Sequence, residues 1–194
     1  ELDHDFLWRI HRAVPPKGEI AIFNRSHYED VLAARVRGIV TREVWETRYE
    51  QINAFERILT LGGTTVLKFF LHISKSEQRE RLAKRLADPD KHWKVQESDF
   101  EDRKRWSDYW RAYEDALREC STRRCPWFVI PADNKWYRDA AVSSIIVETL
   151  KDMDLRMPRP TIEPRRFLFE DGPTFDGTRP GAARSARGAK RGRA

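Results

Sequence analysis

Thr64-Thr65-Val66-Leu67-Lys68-Phe69-Phe70-Leu71-His72-Ile73, followed at once by Ser74-Lys75-Ser76-Glu77, is the stretch that decides the fold. The first ten residues are rich in β-branched and aromatic side chains and nearly continuous in apolar character, which predicts a central strand. The next four have the spacing of a capping box, so a charged helix should begin where the strand ends and run to about Asp88-Pro89. Upstream, Gly62-Gly63 stops a helix predicted from Thr41 to about Leu61, with Val44, Trp45, Tyr49, Ile52, Phe55, Ile58 and Leu59 on its apolar side. Two further short apolar runs, Glu19–Phe23 and Trp127–Ile130, read as buried strands. Helices are expected over 1–13, from Ser26 to about Arg37, from Ser98 to about Glu119 and from Lys135 to Met153. Buried strands alternating with helices predict an α/β fold, a parallel sheet covered by helices on both faces.

The 194 residues suffice for one ordinary domain. Apolar residues make up 40% and aromatics 11%, so most of the chain should fold. No run approaches the length of a membrane span, and no signal-peptide pattern opens the chain. Cys120 and Cys125 make neither a disulfide framework nor a zinc site, which fits a cytoplasmic protein. The net charge of +6 is concentrated in the tail: Arg179, Arg184, Arg187, Lys190, Arg191 and Arg193 face no acid after residue 178, and the remainder is balanced. Residues 158–194, rich in proline and arginine, are expected to be largely disordered.

Ligands of open parallel sheets sit beyond the carboxyl ends of the strands. Asn24-Arg25 followed by Ser26-His27-Tyr28-Glu29 is such a corner: Arg offers a fork of donors and a helix start offers free N–H groups to a phosphate. A capped turn with Arg25 in a structural ion pair is the other reading. The helix from Ser74 carries Arg79, Arg81, Lys84 and Arg85; Lys91, Lys94, Arg103, Lys104 and Arg105 follow. Such residues could close over a polyanion, although interleaved Glu77, Glu80, Glu101 and Asp102 also suit a solvated charged face. Asp133-Asn134-Lys135-Trp136, after the last strand, is either a nucleotide contact or an N-cap.

Six blocks then carry a resemblance. They are His4–Arg9, Ile22–Glu29, Tyr49–Asn53 with Phe55-Glu56, Lys68–Lys75, Asp88–Lys94 and Pro131–Tyr137. In that order and spacing, over about residues 3–155, the chain resembles the polyphosphate kinase 2 family. The resemblance implies a three-layer αβα, P-loop-kinase-like parallel sheet with a helical lid at about 78–120. It implies transfer of a phosphoryl group, with Mg²⁺, between inorganic polyphosphate and a nucleoside mono- or diphosphate of adenine or guanine. Arg25 and Asn24 would be catalytic, with Asn24 also a candidate metal ligand. Arg85, Lys94, Arg103 and Arg105 would bind phosphates from the lid, and Glu29, Asp133 and Lys135 would face the nucleotide. A homo-oligomer is expected, with nucleic acid a partner only through the tail.

The family's phosphate loop has no counterpart: no G-x-x-x-x-G-K segment occurs in the sequence. Residues 1–157 are therefore expected to be a partial kinase domain whose first strands are missing, a C-terminal fragment inactive by itself. Two alternatives stay open. One is an ATP-dependent, thymidylate-type nucleoside-phosphate kinase; the other is a non-catalytic module binding polyanions or nucleic acid through its basic tail.

Overall fold

The α/β body is organised by a parallel strand pair far apart in sequence. In the computed structural model, β1 (Lys68–His72) lies beside β2 (Trp127–Pro131), with Lys68 opposite Trp127 and His72 opposite Pro131. Residues 3–157 and residue 161 are described; the expected disordered tail, Thr161 apart, lies outside the described residues. Residues 1–149 form one compact unit and those from 150 onward a second. Of the second, the described part is the end of the last helix and a short stretch in which Arg156 pairs with Asp154. No helix among the described residues is long and apolar enough to cross a membrane.

The helices are α1 (Trp8–Ala13), α2 (Ala33–Val36), α3 (Arg42–Leu61), α4 (Lys75–Leu86), α5 (Glu97–Lys104), α6 (Trp106–Cys120) and α7 (Lys135–Asp152). Two 3-10 turns, His27–Asp30 and Pro89–Lys94, complete the set among the described residues. Helix α3 ends as its sequence requires. Gly63 adopts φ +90°, open to glycine at little cost, and the Thr64 N–H closes on the Leu59 carbonyl at 3.0 Å. Ser74 caps α4 by accepting the Glu77 N–H at 3.1 Å.

Three expectations need correction. Glu19–Phe23 is not a strand: Ile20 is 75% and Ile22 90% exposed. An apolar run becomes a strand only when a neighbour takes up its backbone groups, and among the described residues none lies beside it. The helix expected from Ser26 is a 3-10 turn followed by the short α2, broken at Leu32, whose ψ of −84° is not helical. The helix expected from Ser98 starts at Glu97 and breaks at Arg105, dividing α5 from α6.

The core joins the turn 27–30 to α3 and α6 through Tyr28, Val31, Leu32, Tyr49, Ile52, Ala112, Ala116 and Cys120. Alternate residues of β1 meet successive turns of α6. His72 touches the Trp110 ring at 5.0 Å, Phe70 stacks on Tyr113 at 4.5 Å, and the Lys68 ammonium reaches the Cys120 carbonyl at 2.7 Å. Helix α6 thus runs back along β1, its N-terminus over the strand's carboxyl end. That alignment positions the site.

Candidate functional site

The two strand ends are latched to each other. Beyond the ladder, the Ala132 N–H donates to the His72 carbonyl at 2.7 Å, and the Ser74 N–H donates to Asp133 Oδ1 at 2.7 Å. The bond from Ser74 holds the Asp133 carboxyl below its ordinary value. Arg81 joins from α4, bonding Glu77 Oε1 through Nε and the Ala132 carbonyl through Nη2, both at 2.7 Å. Above this platform lies a cleft of about 430 Å³ whose walls include His72, Ser74, Lys75, Trp106, Trp110 and Arg111.

The 24–30 corner lies on the α6 side of β1. Asn24 is exposed, and Arg25 adopts φ +67°, a left-handed conformation that non-glycine residues seldom take. Arg25 makes no hydrogen bond or ion pair with a described residue. Its charge acts on Tyr113: burial, the Glu29 carboxylate and Tyr109 push that hydroxyl up to about 12, with Arg25 pulling the other way. Arg25 and Glu29 therefore both act on the hydroxyl of Tyr113, whose ring stacks on Phe70.

The basic residues of the lid segment fall into two groups. Arg103 donates through Nη1 to the Lys75 carbonyl at 2.7 Å and to Gln78 Oε1 at 2.8 Å, tying α5 to the first turn of α4. Arg105 donates to the Val36 carbonyl at 2.8 Å. Beside it Arg37 forks onto Asp102, which also accepts from Tyr109 at 2.9 Å. Those bonds hold the Asp102 carboxyl down, Arg37 foremost. By contrast Arg85, half-buried near the end of α4, has no partner among the described residues, and exposed Lys94 lies over the Trp93 ring at 4.8 Å. Lys135, at the first position of α7, is exposed and likewise without a described partner. The structure brings Asp133 to Ser74. It commits Arg103 and Arg105 to backbone carbonyls.

A buried polar cluster sits behind the corner. Lys68, 6% exposed, donates to Tyr28 Oη at 2.9 Å, Glu56 Oε2 at 2.7 Å and the Cys120 carbonyl at 2.7 Å. Tyr28 donates to Glu56 Oε1 at 2.8 Å. Burial, with Glu56 beside it, keeps the Tyr28 hydroxyl protonated far above its ordinary range. Burial alone would raise the Glu56 carboxyl, but His27, Lys68 and Tyr28 together hold it below its ordinary value. His27 Nε2 approaches Glu56 Oε1 at 3.7 Å, too far for a hydrogen bond, and neither buried ring nitrogen has a hydrogen-bond partner. Sequence reasoning missed this cluster. Its signal was a lysine inside an apolar strand and, on α3, Glu56 in register with Ile52 and Phe55 on the buried stripe.

A metal held by protein alone needs converging ligands. Among the described residues no three His, Cys, Asp or Glu side chains come together to hold one, and Asn24 offers one neutral oxygen. The residues present do not fit a protein-built cage.

The parallel strand pair, the helices beside it and the cleft at the strand ends place the chain in the α/β class. The chain belongs to the polyphosphate kinase 2 family, whose model matches residues 1–158. It is 54% identical over 170 residues to a Meiothermus ruber protein named AMP/ADP-polyphosphate phosphotransferase, covering 88% of this chain and 64% of that one. It is 40% identical over 182 residues to the ADP-polyphosphate phosphotransferase of Rhodopseudomonas palustris, covering 88% and 63%. The crystal structure of polyphosphate kinase 2 from Arthrobacter aurescens TC1 matches with a TM-score of 0.80 and 45% identity, over 84% of this chain and 57% of that one. The chain spans less than two thirds of the length of these relatives.

Proposed function

We propose that this chain carries the Arg25 corner and the lid of a phosphotransferase that moves a phosphoryl group between inorganic polyphosphate and a nucleoside mono- or diphosphate. The observation that carries the reading is Arg25, held exposed in a left-handed turn with its guanidinium unclaimed by any described side chain. The names of the two relatives support the donor and acceptor. In the proposed reaction a terminal phosphate oxygen of the nucleotide attacks the terminal phosphorus of the polyphosphate. A new P–O bond forms as the bridging P–O bond breaks, and a polyphosphate one unit shorter leaves. Such transfer depends on positioning and charge neutralisation, which arginine forks supply.

In this reading Arg25 and Arg85 grip phosphate oxygens, and Lys94 adds charge from the lid. Asn24 lies exposed beside Arg25, and Glu29 and Lys135 face the nucleotide. Arg103, Arg105 and Asp133 act as latches, since their polar atoms are already bonded within the protein. Mg²⁺ is proposed as the divalent ion that neutralises phosphate charge, entering with the substrate phosphates. The α/β body is read as part of a three-layer P-loop-kinase-like sheet, with β1 and β2 its fourth and fifth strands. A cytoplasmic, homo-oligomeric enzyme belongs to the same proposal; the free thiols of Cys120 and Cys125 support the compartment.

The test incubates the chain with Mg²⁺ and ADP or AMP, by itself and together with the part of the Meiothermus ruber relative that it does not span. Polyphosphate and ATP are compared as donors. Polyphosphate-dependent formation of a higher nucleotide in the combined sample, absent when either part is omitted, is expected. Transfer from ATP alone would replace the reading with an ATP-dependent kinase; no transfer from either donor, with the two parts shown to associate, would discard it.

A further inference from the structure

The buried cluster behind the corner joins four elements at one point. Glu56 comes from α3, Lys68 from β1, the Cys120 carbonyl from the last residue of α6, and Tyr28 from the turn three residues past Arg25. All three protons of the Lys68 ammonium have an acceptor, and both Glu56 oxygens have a donor. The Tyr28 hydroxyl accepts from Lys68 and donates to Glu56, so one orientation of the ring closes the circuit. The ring also packs edge-on against Trp127 of β2 at 4.7 Å.

A buried ion pair is a poor source of stability, because desolvation offsets most of its attraction and an apolar set of similar volume serves as well or better. A closed set of directional bonds provides orientation instead. The backbone here needs it: Arg25 is in a left-handed conformation, Ser26 is extended at φ −147°, and the chain enters the 3-10 turn at His27. A residue held in a sparsely populated conformation persists only where its surroundings over-determine it. Asn24 and Arg25 are exposed, and half-buried Ser26 bonds only within the turn, its hydroxyl accepting the Tyr28 N–H at 3.4 Å and its carbonyl the Glu29 N–H at 3.0 Å, so the first deeply buried anchor after Arg25 is Tyr28, 3% exposed.

We infer that the Tyr28–Glu56–Lys68 cluster is a positioning device for Arg25, fixing the turn that presents its guanidinium to the transferred phosphate. The inference rests on the phosphotransferase reading for what Arg25 contacts, but not for what holds it. Tyr28 touches no substrate and acts through the backbone of residues 25–28. His27, against Glu56 at 3.7 Å, is the other titratable side chain of the turn that faces the cluster.

Two measurements test this on Tyr28→Phe, which keeps the ring against Trp127, and on Lys68→Met. The first is amide hydrogen exchange resolved by segment. Exchange over residues 24–30 should rise roughly tenfold or more in Tyr28→Phe, with α3 and α6 unchanged. Unchanged exchange over 24–30 in a folded variant overturns the inference, whether or not the protein transfers phosphate. The second is a double-mutant cycle on kcat in the combined sample that transfers phosphate. If Tyr28 acts through Arg25, each single substitution lowers kcat by roughly tenfold or more, and Tyr28→Phe adds little to Arg25→Ala. Losses that multiply would show that the hydroxyl supports the fold in general, and would overturn the inference while leaving the phosphotransferase reading intact. Absence of activity when the wild-type chain is combined with the part of the Meiothermus ruber relative that it does not span removes that reading and leaves the exchange result to decide.

Discussion

Arginines of the same charge differ here in what each already touches. Arg25 and Arg85 have no described partner, whereas Arg103 and Arg105 are bonded to carbonyl oxygens of other elements. Arg25→Ala and Arg85→Ala should each lower kcat by about tenfold or more, since an arginine at a transferring phosphoryl can be worth ~10³. Arg105→Ala should lower the melting temperature and change kcat by less than about threefold, because its loss leaves the Val36 carbonyl unsatisfied rather than a phosphate. Thermal melts and steady-state rates on the same preparations separate the two behaviours. The reverse pattern would exchange the roles assigned to the two groups. Within the core, Glu56→Gln should destabilise by about 3–5 kcal/mol, the usual cost of removing one partner of a buried pair, measured by urea unfolding.

The elements show what could be read from sequence and what could not. Helix α3 was legible at both ends because Gly62-Gly63 and Thr64 define its stop through local geometry. Helix α4 was legible because Ser74 and Glu77 are local to its start. Glu19–Phe23 was misread because apolar character says that a segment wants cover but not whether a neighbouring strand supplies it. Arg25 stood out in the sequence as a candidate, but the cluster behind it did not. Lys68 and Glu56 lie on different elements, and only the three-dimensional fold makes them partners. Likewise Asp133 showed as a polar residue after a strand, whereas its bond to the Ser74 N–H belongs to the packing of two loops. Removal of the α4 cap gives an element-scale test. Ser74→Ala should cost about 1 kcal/mol, while Ser76→Ala, which removes only an exposed hydroxyl pair, should cost less than half as much. Equal losses in chemical denaturation would mean that the cap contributes nothing special.

Charge in the whole molecule sets how its stability follows pH. Asp102, held down by Arg37, and Glu56, held down by its partners against the effect of burial, both have folded values below their unfolded ones. Each contributes stability fully present above the ordinary carboxylate range of about 4, and lost as pH falls through the depressed value. Asp30 works the other way: burial raises it despite Arg48, so its carboxylate opposes folding at neutral pH and eases as it protonates. The melting temperature should therefore hold from neutral pH to about 5 and decline below about 4, where the depressed groups outnumber the raised one. Asp102→Asn should start lower and decline less steeply over the same interval. A parallel decline for variant and wild type would show that Asp102 is not among the groups responsible.

The strand pair also fixes an order of events as the chain folds. Residues that face each other across the ladder are 59 positions apart, and α4, α5 and α6 lie between them. Closing so long a loop costs entropy before any ladder bond forms. Helices α4 and α6 close their own hydrogen bonds within a few residues and can form on the submicrosecond to microsecond scale typical of helices. The β1–β2 ladder must wait until that excursion has been folded back upon itself. Assembly of the platform at the strand ends is thus a late event, and the turn anchored by Tyr28 must also wait for β1, since the Tyr28 hydroxyl bonds with Lys68.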